Sequence, residues 1–376
     1  MMNDLVLTGG RVIDPSQQID GVMDVAFKDG RVSAVGAALE GAERRNVSGK
    51  IVTPGLIDLH THVYWGGTSL GIDAEEFCRM SGVTTAVDTG SAGPGNFMGF
   101  RRHVIDRSEV RILAYLHVSF AGIYAFSNTV MVGESEEIRL MAPADCARVA
   151  DENRDVIVGI KVRCGRHASG TQGWNALQMA LEVADETGLP LMAHIDHPPP
   201  TYEEVIGALR PGDILTHCFR PFPNAPCNGQ GAVKEAVREA RQRGIIFDVG
   251  HGGGSFSFKT ARAMLAGGFE PDTISSDVHS VCIDGPAFDQ VTTMSKFLVM
   301  GMPLGRVIAA STVAAADALK RPELGTLRAG AVGDATILSI EEGAFDYVDV
   351  VGETVVGDRK IRSDGVVVGG RWWWPE

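Results

Sequence analysis

The chain has 376 residues, of which 44% are hydrophobic and 22% are charged, and its formal net charge is −13. These values are ordinary for a folded globular protein, and the length favours one large domain with a smaller accessory domain. The negative balance argues against nucleic acid or an anionic membrane surface as the main partner.

The N-terminal residues and the cysteines indicate the cellular compartment in which the protein resides. No basic segment followed by an apolar stretch opens the chain, so we see no secretory signal. No uninterrupted apolar run reaches the length of a membrane helix. The six cysteines lack a C-x-x-C pair and any framework spacing, which favours a reducing environment. We therefore expect a cytoplasmic protein.

Both ends of the chain have the pattern of short β-strands separated by turns. Near the N-terminus, apolar segments flank Gly9-Gly10 and a Lys28-Asp29-Gly30 hairpin signal. The C-terminal region repeats this texture from Ala335 onward. We predict one small β-sandwich domain formed by both termini, from residues 1–53 and 320–376.

Residues 54–319 alternate apolar strands with amphipathic helices. The predicted strands are 55–62, 83–89, 111–118, 156–163, 190–195, 213–217, 245–249 and 273–277. Gly188 and Gly244 are typical stop signals for the helices that precede them. Eight such units predict an α/β fold, a (β/α)8 TIM-like barrel. A doubly wound sheet would need a G-x-G-x-x-G turn after its first strand, where this chain has His60-Thr61-His62.

Side chains that can bind a metal stand at the ends of four predicted strands. Alternate residues of a strand point to one side, so His60 and His62 both face the barrel interior. They lie at the carboxyl end, where barrel enzymes place their active sites. His194 ends the fifth strand, His217 the sixth and Asp277 the eighth. One such histidine is more often a packed core residue, and an aspartate there is often a helix cap, but the set predicts a metal centre.

Lys161 lies in the apolar run Val-Gly-Ile-Lys-Val-Arg on the fourth predicted strand. An unpaired buried ammonium group is costly, so this lysine is paired with a carboxylate, extends to the barrel mouth or is chemically altered. A neutral amine can take up carbon dioxide and become a carbamate, which offers two anionic oxygens. We favour the carbamate because the other five candidate ligands are present.

These residues carry a family resemblance. The chain resembles the amidohydrolase superfamily, of the binuclear type with a carboxylated lysine, and within it the dihydroorotase-like branch and its amidohydrolase/deacetylase group. The matching segments are LTGGRVID (7–14), TPGLIDLHTH (53–62), DVGHG (248–252), SDVH (276–279), GTL (325–327) and GDA (333–335). The resemblance implies that His60, His62 and Asp277 bind one ion and that His194 and His217 bind the second. Lys161, as N6-carboxylysine, would bridge both.

The resemblance also implies an activity. Two divalent ions, for which zinc suits the ligands better than manganese or cobalt, would share a bridging hydroxide that attacks a polarised carbonyl. Asp277 would act as catalytic residue by passing the proton to the leaving group. We expect a metal-dependent hydrolase, of deacetylase or esterase type, for a small carboxylate-bearing N-acyl or O-acyl substrate. A cyclic-amide hydrolase, such as a dihydroorotase or hydantoinase, is an alternative. A catalytically silent barrel scaffold is a second alternative, disfavoured because all six ligands are present.

Five residues near the ligands are candidates for substrate binding. Arg163 has the same strand parity as Lys161 and is expected to pair with a substrate carboxylate, or else to form an ion pair at the barrel rim. Tyr64 follows the histidine pair, and His279 lies two residues past Asp277. His251 and Gly252 begin a glycine-rich loop whose backbone can approach a ligand. The sequence leaves open whether the protein forms a homo-oligomer.

Overall fold

The structure of the protein, a computed structural model, describes residues 2–374. Its N-terminal strands are β1 (Asn3–Asp14), β2 (Ile19–Lys28), β3 (Arg31–Gly36), β4 (Gly41–Asn46) and β5 (Ile51–Pro54). Strand β1 pairs antiparallel with β2 and parallel with both β4 and β5. The register of β1 against β2 shifts between Leu7 and Gly10, where Gly9 has a φ of +74° that glycine adopts without strain.

A parallel sheet follows. Its strands are β6 (Leu56–Thr61), β7 (Val83–Thr89), β8 (Arg111–His117), β9 (Ile157–Cys164), β10 (Leu191–Ile195), β11 (Ile214–Leu215) and β12 (Ile246–Phe247). Each strand pairs with the next one in the chain. All residues of β6, β7 and β9 are buried, as is usual for a parallel sheet covered on both faces.

Residues 273–278 close this sheet into a barrel without forming a regular strand. Isolated bridges join Thr273 to Asp248 on one side and Val278 to Thr61 on the other. The amide of Asp277 also donates to the carbonyl of His60 at 2.7 Å. The φ of Asp277 is +50°, which is incompatible with strand geometry. The barrel prediction is confirmed, but its eighth strand is irregular and its sixth and seventh strands are shorter than predicted.

Helices follow most of the barrel strands. They are α1 (Ala74–Ser81), α2 (Phe97–His103), α3 (Pro143–Glu152), α4 (Arg166–Ser169), α5 (Gly173–Thr187), α6 (Tyr202–Ala208), α7 (Glu235–Gln242), α8 (Phe258–Ala266), α9 (Gln290–Val299), α10 (Leu304–Ala310) and α11 (Val313–Ala318). Helix α5 ends at Gly188, which has a φ of +67°, so the predicted stop signal is confirmed. No helix within residues 2–374 is long and apolar enough to cross a membrane.

The C-terminal strands join those of the N-terminus. They are β13 (Ala335–Val348), β14 (Thr354–Val368) and β15 (Arg371–Trp372). Strand β13 pairs with β5, so among the described residues one mixed sheet contains eight strands from both chain ends. Several short strands were predicted at the C-terminal end, whereas the structure has long strands interrupted by register shifts. The domain boundaries near residues 53 and 320 remain a prediction.

Candidate metal centre

The six candidate ligands converge at the carboxyl end of the barrel. Oδ1 of Asp277 lies 3.2 Å from Nε2 of His60 and 3.2 Å from Nε2 of His62. One ligand atom from each of these three residues lies within 4.8 Å of the others, and all three residues are buried. The strand parity of His60 and His62 thus brings both imidazoles to one carboxylate.

The other three candidates lie beside this group. Nζ of Lys161 is 3.4 Å from Nε2 of His60, and the rings of His60 and His217 have centroids 5.2 Å apart. Nδ1 of His194 is 2.6 Å from Nε2 of His217. Two ring nitrogens that face each other at this distance share one proton, and a cation bound by both would take the place of that proton.

Hydrogen bonds on the far side of two imidazoles set their orientation. Thr216 donates its hydroxyl proton to Asp248 at 2.8 Å, so its oxygen accepts from Nδ1 of His60 at 2.8 Å. His217 donates Nδ1–H to the carbonyl of Gly250 at 2.7 Å. In both rings the proton is therefore on Nδ1, and the Nε2 lone pair faces the centre. This arrangement is typical of histidines that bind a metal.

Burial controls the charge of these groups. It lowers the pKa of four histidines, to about 3 in one and well below the usual range in the others, namely His62, His60, His194 and His217. Neutral imidazole is the form that binds a metal. Burial also lowers the pKa of Lys161 to about 7 and raises that of Asp277 to about 6. The donor set therefore fits divalent metal ions.

The surroundings of Lys161 distinguish between the three explanations given for its burial, namely a carboxylate partner, extension to the barrel mouth and chemical alteration. The residue is fully buried, and within residues 2–374 no carboxylate forms an ion pair with its Nζ. Its neighbours are His60 and Sδ of Met192, the latter at 3.6 Å. The structure thus supplies neither a carboxylate partner nor an exposed position at the barrel mouth, and it leaves an amine that is partly neutral at pH 7.

A cavity of about 410 Å³ opens above the candidate ligands. Its lining includes the polar side chains of Arg163, Arg220 and His279. It also includes the apolar side chains of Leu70, Ile123, Phe126, Met131, Val132 and Val281. A molecule of modest size that carries both polar and apolar groups fits this lining.

Two of the predicted substrate residues line this cavity. Nη1 of Arg163 donates to Oε2 of Glu134 at 3.1 Å, so the ion pair at the barrel rim is present. The guanidinium carbon of Arg163 also lies 5.1 Å from the ring centroid of Phe126. The ring of His279 lies 5.2 Å from the same phenyl ring and 6.0 Å from that of His62.

The structure does not bring the other predicted substrate residues to the cavity wall. Tyr64 packs on Phe100 with ring centroids 4.7 Å apart and lines a separate hollow. Nε2 of His251 is 2.7 Å from Nζ of Lys296, behind the loop. Gly252 lies against Asp277, and the cavity is lined by the following residues, Gly253, Gly254 and Ser255. The role of Gly252 is therefore close packing against the carboxylate.

Several residues in or beside the cavity were not singled out in the sequence. Arg220 follows His217 by three residues at the end of β11, and this position after a barrel strand was the available signal. Glu134 lies in a loop far from any predicted strand end, so no local pattern indicated it. His167 and His197 are exposed and line the cavity together with Asp196.

The fold and the site together define a metal-dependent hydrolase built on a (β/α)8 barrel. The sequence model described as "Amidohydrolase family" matches residues 51–373, and the chain belongs to that family. The resemblance to the amidohydrolase superfamily and its dihydroorotase-like branch is thereby confirmed, and the protein is a hydrolytic enzyme.

Individual relatives agree with this assignment. A protein named deacetylase from Agrobacterium fabrum is 35% identical over 344 residues, which are 91% of this chain and 84% of that protein. A crystal structure of a dihydroorotase is 32% identical, has a TM-score of 0.90 and covers 98% of both chains. A crystal structure of an adenine deaminase is 28% identical and has a TM-score of 0.91, covering 99% of this chain and 100% of that one.

Proposed function

We propose that the protein is a deacetylase or esterase that removes an acyl group from a small N-acyl or O-acyl carboxylic acid. The observation that carries this proposal is the placement of Asp277 beside His60 and His62, with the uncharged histidines and Lys161 next to them. Proteins named deacetylase from Agrobacterium fabrum and Enterococcus faecalis are 35% and 29% identical to the chain, which supports acyl removal as the reaction.

The donor set is suited to two divalent ions, and zinc is the metal that prefers mixed histidine and oxygen ligands. His60, His62 and Asp277 would hold the first ion, and His194 and His217 the second. Lys161 would serve both as N6-carboxylysine. Its buried amine, which has no carboxylate partner among residues 2–374, supports this modification because burial lowers its pKa to about 7 and a neutral amine is the species that reacts with carbon dioxide.

When bound, the ions supply a water molecule of lowered pKa and polarise the scissile carbonyl. The chain supplies the proton transfer. Asp277 lies beside the candidate ligands, 3.2 Å from Nε2 of both His60 and His62, so its carboxylate is placed to accept a proton and release it to the leaving group. Apolar side chains such as Phe126 line the cavity and would contact the uncharged part of the substrate.

The similarity to a dihydroorotase structure keeps one alternative, the opening of a cyclic amide. Both reactions need the same ion-bound chemistry, so the ligands do not separate them. The purified protein should be analysed for metal, stripped with a chelator and reloaded with zinc. The zinc-loaded enzyme should then be tested on N-acetyl amino acids, O-acetyl hydroxy acids and cyclic amides. We expect turnover of an acetylated acid that disappears on chelation and returns with zinc. Turnover of cyclic amides alone would assign the alternative.

A further inference from the structure

A second arginine in the cavity has no internal partner. Arg220 is 2% exposed, and its Nε and Nη1 atoms have no hydrogen-bond acceptor among residues 2–374. Burial lowers the pKa of its guanidinium only to about 10, so the group stays charged at neutral pH. A buried charge without a counterion destabilises a protein, and an anion bound in the cavity would remove that penalty.

The nearest acidic residue is engaged elsewhere. Asp196 raises the pKa of Arg220 through its charge, but its two carboxylate oxygens accept the backbone amides of His167 and Ala168, each at 3.2 Å. Asp196 therefore holds the start of α4 and makes no ion pair with Arg220. The N–H groups of Arg220 remain available to a ligand.

Arg163 offers a contrast within the same cavity. Its Nη1 is paired with Glu134 at 3.1 Å, and Oε1 of that glutamate lies 3.3 Å from Nε2 of His117. Arg163 thus has an ion-pair partner inside the protein, whereas Arg220 forms no ion pair within residues 2–374. Of the two arginines, Arg220 is the one whose N–H groups are left for an anion from outside.

The backbone holds Arg220 close to the candidate metal centre. Its amide donates to the carbonyl of His217 at 3.1 Å, which forms one tight turn at the end of β11. The intervening residues are also tied down, because the Cys218 amide donates to Asp248 at 3.0 Å and the Phe219 carbonyl accepts from Ser257 at 3.1 Å. Arg220 and the candidate ligands His194 and His217 line the same cavity, so one small molecule can contact both.

We propose that Arg220 binds the carboxylate of the substrate and makes the enzyme select acyl compounds with an anionic end over neutral ones. This inference rests on the proposed function, since it concerns the same cavity. A planar guanidinium matches a carboxylate in shape and charge. The apolar wall that includes Phe126 and Met131 would receive the uncharged part of the substrate.

The test compares an acid with its neutral analogue on the zinc-loaded enzyme. The pair is N-acetylphenylalanine and N-acetylphenylalaninamide, with both enantiomers and the corresponding O-acetyl pair. Wild type should prefer the acid. Arg220→Met should reduce the ratio of kcat/KM for acid over amide by about 10- to 100-fold, mainly through KM, because a charged hydrogen-bonding partner is removed. Arg220→Lys keeps the charge without the planar fork and should give an intermediate ratio.

A control variant is available on the surface. Arg148 is an exposed arginine of α3 that is paired with Asp145 and Glu152, so Arg148→Met should leave the ratio unchanged. An unchanged ratio in Arg220→Met would overturn the inference. A ratio that is lost in Arg163→Met and kept in Arg220→Met would also overturn it, because Arg163 would then be the anion-binding residue. If Arg220→Met does not retain zinc, Arg220→Lys is used in its place. A wild-type ratio of kcat/KM for acid over amide in Arg220→Lys would then count against the inference.

A binding measurement separates this inference from the proposed function. If zinc-loaded wild type hydrolyses none of these compounds, the proposed function fails, but calorimetry still reports whether N-acetylphenylalanine binds. Binding to wild type that is at least about 10-fold tighter than to Arg220→Met, with no such difference for the amide, would support the anion site. Equal affinities for the acid, or no binding to wild type, would overturn it.

Discussion

Thr216 accepts a hydrogen bond from Nδ1 of His60 at 2.8 Å because its own hydroxyl proton is donated to Asp248. This arrangement fixes which nitrogen of His60 carries the proton and turns Nε2 toward Asp277. Thr216 directly precedes His217, so the end of one strand supplies a candidate ligand and also orients another. Substitution of Thr216 therefore tests whether this hydrogen bond orients the His60 imidazole for metal binding.

Replacing Thr216 by valine keeps the shape of the side chain but removes the oxygen that accepts from His60. We expect Thr216→Val to weaken zinc binding by roughly 10- to 100-fold, measured by competition with a chromophoric chelator. Thr216→Ser keeps the hydroxyl and should retain most of the affinity. Wild-type affinity in Thr216→Val would show that this contact does not support a metal ligand.

Asp277→Asn tests proton transfer. An asparagine oxygen can still bind an ion but does not accept a proton at neutral pH, so metal content should largely persist. Turnover should fall by about 10²- to 10⁴-fold, measured as kcat together with the zinc content of the same sample. Wild-type kcat at full zinc occupancy would exclude Asp277 as the proton carrier.

Lys161→Ala tests the ligand that the lysine provides. Removing the side chain should lower metal occupancy and activity together, because within the described part of the chain no carboxylate is paired with Lys161 that could replace the lost ligand. Short carboxylates such as formate, acetate or propionate should restore part of both by filling the space. Full metal occupancy in Lys161→Ala, with no response to added carboxylates, would contradict the carbamate.

The pH dependence of reconstitution follows from the pKa of Lys161, which burial lowers to about 7. Only the neutral amine reacts with carbon dioxide, and its fraction rises as the pH rises through 7. At constant dissolved carbon dioxide, metal-free enzyme given zinc should therefore recover activity faster at pH 8 than at pH 6. The recovery rate is measured by sampling activity over time, and equal rates at the two values would contradict the assignment.

Gly252→Ala tests the close packing at Asp277. A Cβ at this position would lie 2.2 Å from Oδ2 of Asp277, and the φ of Gly252 is +54°. Gly268 has a φ of +71° with nothing within 4 Å of such an atom, so Gly268→Ala has the same backbone cost of about 1 to 2 kcal/mol. Denaturant unfolding should show a loss of this size in Gly268→Ala and a larger one in Gly252→Ala, where the contact with Asp277 adds to the backbone cost. Only Gly252→Ala should lose most of its kcat, and equal kcat in the two would indicate that Asp277 tolerates displacement.

The sequence predicts those parts of the site that depend on local periodicity. His60 and His62 share one face because β6 is a regular strand, and the buried run around Lys161 belongs to β9, whose residues are all buried. The same parity would also place Tyr64 in the cavity. Tyr64 does not line the cavity, because β6 ends at Thr61 and the chain turns afterwards. In this turn the Trp65 amide donates a hydrogen bond to the carbonyl of Val63.

Contacts between distant segments lie beyond such reasoning. The pairing of Arg163 with Glu134 joins β9 to a loop before α3, and nothing in either segment predicts the other. The unpaired state of Arg220 depends on Asp196 being occupied by the amides of α4. The eighth strand was expected from the alternation of strands and helices, but the positive φ of Asp277 depends on where the barrel closes.

Strand β5 lies between β1 and β13 in the terminal sheet. During translation, the edge of β5 that pairs with β13 therefore stays unpaired until nearly the whole chain, including the barrel residues, has been synthesised. A chain that stops before β13 would keep every candidate ligand and still expose a bare sheet edge, which is a template for aggregation. We therefore expect such a truncated chain to be poorly soluble, although all six candidate ligands precede β13 in the sequence.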